Sequence, residues 1–406
     1  MKKILKLFFL ISIFLLVLVG CGIKSADSII DKLEKKQENC DSYYVEGTMD
    51  IVNNEDTYTY NVSVSYKKDD YYKIDLVNTL NNHEQVILRN DEGVYVVTPS
   101  LNKSFKFQSD WPYNNSQVYL LNSIIEDLTE DEDRVFKTKD NGYYFSSSVN
   151  YPNNKSLVKQ NVYVDKNMKI TKVEVTDGDG KVQITMKFDK ITYNKKFASD
   201  YFELSKLINI SDSKKESNTT NNKDIEEKDN DDNRNDNNTT ATDEKITNDN
   251  NSSNTNTNEN TNTNNDSNNT TNNNSNTTTD NSNKDNTQTK ETATIDDVIY
   301  PMYLPENTTL ANKEVINTED GQRLILTFEG DNPFVLVEET ISYADEGLIV
   351  PVSGSLDFLT DVIGVINDNS VSFDSNGIGY YIVSDKLDST ELVSIARSIS
   401  VLPVSK

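Results

Sequence analysis

The stretch Tyr58-Thr59-Tyr60-Asn61-Val62-Ser63-Val64-Ser65-Tyr66 decides the fold class. Apolar or aromatic residues at 58, 60, 62, 64 and 66 alternate with polar ones, a period of two that sets one strand face on a core and the other in water. The pattern predicts a half-buried antiparallel strand. Strand-like runs at 85–88, 94–98, 143–149, 170–176 and 182–188 are separated by the turn signals Asn81-Asn82, Asp91-Glu92-Gly93, Asp140-Asn141-Gly142 and Asp177-Gly178-Asp179-Gly180. Together they read as a long meander. Upstream, Ile29, Ile30 and Leu33 recur at helical spacing over 25–39, behind a cap at Asp27 or Ser28. Val118, Leu121, Ile125 and Leu128 predict a second helix over 116–128. An open meander would leave an apolar face in water, so a strongly curved sheet wrapped over these helices is the expected closure.

A chain of 406 residues has room for two or three domains. Its formal charge of -26 repels phosphate polyanions, which excludes nucleic acid and makes anionic lipid headgroups poor partners for the chain as a whole. The single histidine, His83, removes most zinc sites and every triad that needs a second imidazole. Of the two cysteines, Cys21 is needed at the N-terminus, and Cys40 then has no intrachain partner. Composition names no cofactor or metal and leans towards a non-enzyme.

Residues 211–293 are dominated by Asn, Thr, Ser and Asp and cannot bury enough apolar surface to offset chain entropy, so they are expected to form a disordered linker. Net charge is -3 over 1–210, -9 over 211–293 and -14 over 294–406. This predicts two domains of different character, 21–210 and 294–406, tethered by the linker. The second offers strands near 314–317, 323–328, 334–341, 348–352, 362–366, 370–373 and 380–383. Asp388 and Glu391 stand at capping-box spacing, and Leu392, Ile395, Ala396 and Ile399 give a closing helix its apolar face. This reads as a small acidic α+β domain.

At the N-terminus, Lys2, Lys3 and Lys6 precede an apolar run over 7–19, the charged and hydrophobic regions of a secretory signal over 1–20. It ends in Leu18-Val19-Gly20-Cys21, which resembles the bacterial lipobox. That resemblance implies lipid attachment at Cys21 and tethering to the outer leaflet of the cell membrane, since two acyl chains anchor stably where one does not. Heavy use of Asn, Lys, Ile and Tyr points to an AT-rich, Gram-positive-like source.

Other constellations are weighed against plainer readings. Asp177-Gly178-Asp179-Gly180 has the alternating carboxylates of a calcium loop but lacks the downstream bidentate Glu, and a hairpin turn explains both glycines. The acidic run 130–133 reads as a solvated helix end. His83 enters a strand from a polar turn, where an exposed turn residue is the plainer reading beside a pH sensor. Cys40 is expected to be a small buried side chain or an idle thiol. The segment 93–112 holds the only tryptophan of the chain. Its Phe105, Phe107, Trp111 and Pro112 suit either the lining of a sheet or a surface for a partner or ligand, against the plainer reading of core.

That segment, with Gln117-Val118-Tyr119-Leu120-Leu121-Asn122-Ser123 and the opening strand Asp41-Ser42-Tyr43-Tyr44-Val45-Glu46-Gly47-Thr48-Met49, resembles sporulation lipoproteins of the GerS and YdcC type, within the LolA/LolB/RseB-like superfamily. The resemblance covers about 25–205. It implies an α+β fold whose N-terminal domain is a LolA-like, half-open antiparallel β-barrel plugged by helices. It also implies a non-enzymatic role in spore formation and germination, by binding a cortex-modifying N-acetylmuramoyl-L-alanine amidase. The alternative it implies is a carrier or sensor that binds lipid or lipoprotein acyl chains in the barrel near Trp111. The C-terminal segment, led by Tyr300-Pro301-Met302-Tyr303-Leu304-Pro305, is similar to domains appended to envelope and sporulation lipoproteins. Short germination lipoproteins lack both it and the linker.

Overall fold

A computed structural model describes residues 25–53, 56–113, 115–139, 141–210, 293–359 and 361–399. The signal segment, Cys21 and the linker through residue 292 lie outside the described residues. Residues 25–210 and 293–399 fall in one compact unit.

The chain enters through α1 (Ala26–Glu38), capped by the Ser25 side chain on the Ser28 amide, two to three residues earlier than the sequence suggests. Ile29, Ile30 and Leu33 make its buried stripe. A meander follows: β1 (Ser42–Asn53), β2 (Asp56–Lys67), β3 (Tyr71–Asn78), β4 (Glu84–Asn90), β5 (Gly93–Thr98) and β6 (Lys103–Phe107). Then come α2 (Leu121–Glu130), β7 (Val135–Lys139), β8 (Gly142–Ser148), β9 (Leu157–Asp165), β10 (Ile170–Asp177) and β11 (Val182–Tyr193). α2 starts five residues later than the apolar spacing predicts. Residues 116–120 are instead buried around a turn at Val118 and Tyr119, closed by the Leu120 amide on the Gln117 carbonyl at 3.1 Å, with the Gln117 amide donating to Ser123 Oγ at 2.8 Å.

The C-terminal part supplies β12 (Thr308–Asn317), β13 (Gln322–Gly330), β14 (Phe334–Thr340), β15 (Leu348–Val352), β16 (Ser355–Phe358), β17 (Ile363–Ile366), β18 (Ser370–Ser375), β19 (Ile378–Val383) and α3 (Ser389–Arg397). The capping box holds: Asp388 Oδ1 accepts from the Glu391 amide at 2.9 Å. Leu392, Ile395, Ala396 and Ile399 join the core of this part, as their spacing predicts.

Two sheets result. The first has twelve strands in the order β15-β6-β5-β4-β3-β2-β1-β11-β10-β9-β8-β7; the second has seven, β12-β13-β14-β19-β18-β17-β16. The first sheet is open, with β15 and β7 as its two edges. One face buries Tyr60, Val62 and Val64 of the diagnostic strand together with Ile29, Leu33, Ile124 and Leu128 of the helices. Helices are thus laid on one face of the sheet, as the meander predicts. The other face carries a smaller core where Phe202, Leu204 and Ile208 cover Val86, Leu88, Tyr95 and Val97.

β15 is where sequence reading and structure part. The strand lies where its sequence predicts, but it leaves its own sheet and pairs in parallel with β6, Leu348 opposite Lys103 and Val352 opposite Phe107. The linker was expected to leave the flanking parts tethered; instead they meet directly and share a core, since Leu356, Ile363 and Val365 are buried in the cluster of the first sheet.

Candidate functional site: the seam between the two sheets

β4 and β6 present Gln85 and Lys103 to the C-terminal part. Gln85, itself buried, reads the backbone of β17 twice: Oε1 accepts from the Ile363 amide at 2.6 Å, and Nε2 donates to the Ile363 carbonyl at 3.3 Å. Lys103 Nζ lies 2.7 Å from Asp374 Oδ2 of β18, with both side chains largely out of water. Burial pushes the Asp374 carboxyl above the usual carboxylate range; Lys103 and, more weakly, His83 pull it back.

Asn102 ties three segments together. It stands in the left-handed region at φ 52, a conformation Asn tolerates better than most side chains. Its carbonyl accepts from the Leu348 amide at 2.9 Å, its Nδ2 donates to the Ala344 carbonyl at 2.7 Å, and its Oδ1 accepts from the Asn209 amide at 2.7 Å.

On the other side of the seam, Phe358 of β16 meets Tyr60 and Tyr119 edge-on, with ring centroids 6.4 and 6.0 Å apart. Next to it Asp357 and Arg397 approach to 3.6 Å, and the Arg397 guanidinium donates to the Phe358 carbonyl at 2.9 Å. Burial raises the Asp357 carboxyl, and Arg397 opposes the shift. Asn53 Nδ2 of β1 donates to the Arg397 carbonyl at 2.9 Å.

The centre of the helix-covered face is therefore filled. Between Met49, Tyr119, Tyr151, Ile184, Leu356 and Phe358 remains a cavity of about 30 Å³, the share of a single water and far below the few hundred Å³ of a small-molecule pocket. A cleft of about 400 Å³ shares Ile51, Tyr151 and Ile184 with it and is rimmed by polar side chains, among them Lys155, Ser156 and Ser394.

The residues singled out in the sequence fall as follows. Phe107 and Trp111 are 3% exposed and Pro112 is also buried, so these four do not form an exposed surface. Trp111 packs edge-on against Tyr72, centroids 5.8 Å apart, because the segment after β6 folds back over the helix-covered face. Phe105 alone stays half-buried, beside Val350 of β15 at the seam. His83 is not an exposed turn residue: it is half-buried, its Nε2 without a hydrogen-bond partner, because the C-terminal part covers it. Burial lowers its pKa, and the charge of Asp374 acts in the opposite sense.

Cys40 is a buried free thiol directed at the Ser42 carbonyl. The Asp177 turn is a hairpin whose carboxylate accepts from the amides of Asp179 and Lys181 at 3.1 and 2.8 Å. Cys21 lies outside the described residues. Gln85, Asn102, Lys103 and Asp374 escaped the sequence reading. A polar residue at the head of the otherwise apolar run 85–88 is a faint local signal for Gln85, and nothing in sequence pairs Lys103 with a residue 271 positions away.

An open sheet with helices laid on one face, against which a second sheet packs, is the architecture of this chain. A family model described as sporulation protein YdcC-like matches residues 1–202. Over 403 residues the chain is 31% identical to the sporulation protein YdcC of Bacillus subtilis strain 168, covering 98% of both. The chain belongs to the YdcC-like sporulation protein family, as the resemblance implied. Among solved structures, it is similar to a chain in the complex of the CwlD amidase from Clostridioides difficile with the GerS lipoprotein, at 18% identity and TM-score 0.26, covering 43% of this chain and 96% of that one. The Pseudomonas aeruginosa MucA/MucB complex gives 11% identity and TM-score 0.29, with 91% and 97% covered. A LolA superfamily protein from Nitrosomonas europaea gives 14% and 0.28, with 45% and 99% covered. These structural likenesses are too distant to carry residue roles across.

Proposed function

We propose that this protein is a lipid-anchored, extracytoplasmic and non-enzymatic sporulation factor, attached through Cys21, that acts by binding a cortex-modifying N-acetylmuramoyl-L-alanine amidase. Whole-length similarity to a sporulation protein supports the process. The observation that carries a protein-binding rather than a cargo-carrying role is the occupied centre of the helix-covered face. Leu356, Phe358, Ile363 and Val365 lie on the side of the sheet where an acyl chain would lie, and about 30 Å³ is left beside Leu356 and Phe358, next to the polar-rimmed cleft of about 400 Å³. Each large side chain buried there contributes about 1.5–3 kcal/mol, so the carrier reading requires displacement of several such groups before cargo enters.

The test is a muropeptide analysis of spore cortex from a deletion strain, with the mature protein used in parallel as bait for sporulation amidases. Loss of muramic-δ-lactam together with amidase capture is expected. Normal lactam with no amidase captured overturns the reading.

A further inference from the structure

The outer face of β7 to β11 carries a charge opposite to that of the whole chain. Between residues 134 and 190 there are eleven basic and six acidic residues, a local excess of five positive charges in a chain of net -26. Strand register gathers part of this excess into one solvent-facing row, with Lys137 opposite Tyr144, Tyr144 opposite Tyr163, Tyr163 opposite Lys172, and Lys172 opposite Lys187. Lys139 Nζ sits 4.7 and 5.0 Å from the centroids of the Tyr144 and Tyr163 rings, and Lys172 Nζ lies 4.1 Å from that of Tyr163. The two tyrosine hydroxyls donate to Asn161 Oδ1 at 2.8 Å and Glu174 Oε2 at 2.9 Å, which fixes the rings edge to face, centroids 5.4 Å apart, as an aromatic platform. Glu174 and Asp50 offset Lys172 and Lys187. Lys137, Lys139 and the neighbouring Lys159 are exposed.

The anchor end of the chain leaves from the same edge. Arg134, the residue before β7, is ion-paired with Asp27 in the first turn of α1. Cys21 precedes Ser25 by four residues, a reach of at most ~14 Å. The acidic C-terminal part pairs through β15 with β6, at the opposite end of the sheet, and also meets the segment before β9, where Asn153 Nδ2 donates to Ser355 Oγ at 3.1 Å.

We propose that the Lys137–Lys139–Lys159 face, with its Tyr144 and Tyr163 platform, lies against the anionic phospholipid headgroups of the membrane. The orientation rests on the Cys21 anchor. The affinity of the face rests on its own lysines and tyrosines. Lysine point charges with aromatic rings at headgroup level are what such a surface selects.

The test uses the chain from residue 21 onward with Cys21→Ala, so that no acyl group contributes. It is sedimented with vesicles of phosphatidylglycerol and phosphatidylcholine in equal parts, or of phosphatidylcholine alone, at low salt. Preference for the anionic vesicles is expected, lost in 0.5 M salt. The K137Q/K139Q/K159Q variant should bind on the order of a hundredfold more weakly. A control with the same charge change, K68Q/K195Q/K196Q, should bind as its parent does. Equal binding to both vesicle types, or a triple variant that binds like its parent, overturns the proposal. Tighter capture by soluble polyglutamate than by vesicles, through the same lysines, also overturns it and reassigns the face to an acidic protein. Acylation of Cys21 is read separately by fatty-acid labelling in cells, so failure of the anchor and failure of the face are distinguishable.

Discussion

Replacing Lys103 by Met tests what holds the seam. In the native protein Lys103 Nζ lies 2.7 Å from Asp374 Oδ2, with side-chain exposures of 15% and 6%. The substitution removes the ammonium, which also lies 4.5 Å from the Phe105 ring centroid, and leaves a buried carboxylate with His83 as a weak partner. Removing one member of a buried pair costs about 3–5 kcal/mol. At about 1.4 kcal/mol per decade, opening of the seam should rise by roughly two to three and a half orders of magnitude. Amide hydrogen exchange of β15 reads this directly, because the Leu348 amide donates to the Asn102 carbonyl across the seam.

The pH dependence has a definite sign. The folded-state pKa of Asp374 is raised by burial, so the unpaired carboxylate is relieved as pH falls through that raised value and the carboxyl takes up a proton. Exchange in Lys103→Met should therefore slow towards wild type on acidification, once corrected for intrinsic exchange rates. The double variant K103M/D374N, which removes both charges, should recover most of the loss. If β15 exchange in K103M stays within threefold of wild type at pH 7, or if the double variant is no better than the single, the pair does not hold the seam.

Two further outcomes follow from local geometry. Burial raises Asp127 to about 7, against hydrogen bonds from Ser116 and Gln160, so its folded pKa lies above its unfolded one. The stability it contributes is present at low pH and lost as pH rises towards 7, and Asp127→Asn should flatten the denaturant midpoint between about pH 4 and 7. Gly47 sits at a bulge opposite β11, where an added Cβ would come 2.2 Å from the Lys187 carbonyl oxygen. Gly47→Ala must displace backbone at the middle of the sheet, and a drop in Tm of several degrees is expected by calorimetry.

What the sequence discloses is local. The alternation at 58–66, the Gly- and Asn-marked turns, the stripe of α1 and the capping box of α3 each depend on neighbours within a few residues, and each stands where it was read. The 348–352 run was legible as a strand, but a period of two does not encode its partner, and its partner is 245 residues away, from Leu348 back to Lys103. The same blindness hid the site. Trp111 looked like a contact residue because its cover, the folded-back segment and helices, is nonlocal. His83 looked exposed because the part that shades it begins two hundred residues later. The short strand β16 carries too few alternations to register at all. The basic face was hidden by averaging, since the net charge of the first segment is nearly neutral while register sorts its lysines onto one side.

The parallel pairing of β15 with β6 also sets an order of events. The first sheet cannot be completed until residues 348–352 have been synthesised, so β6 stands as a bare edge throughout that interval. Pairings between such distant segments form late, and bare edges recruit other chains. The β6 sequence Lys103-Ser104-Phe105-Lys106-Phe107 places two lysines in five residues, and β15 carries Pro351 opposite Lys106. A newly made chain is in this way discouraged from pairing with its neighbours at either surface while the first sheet waits for its last strand to arrive.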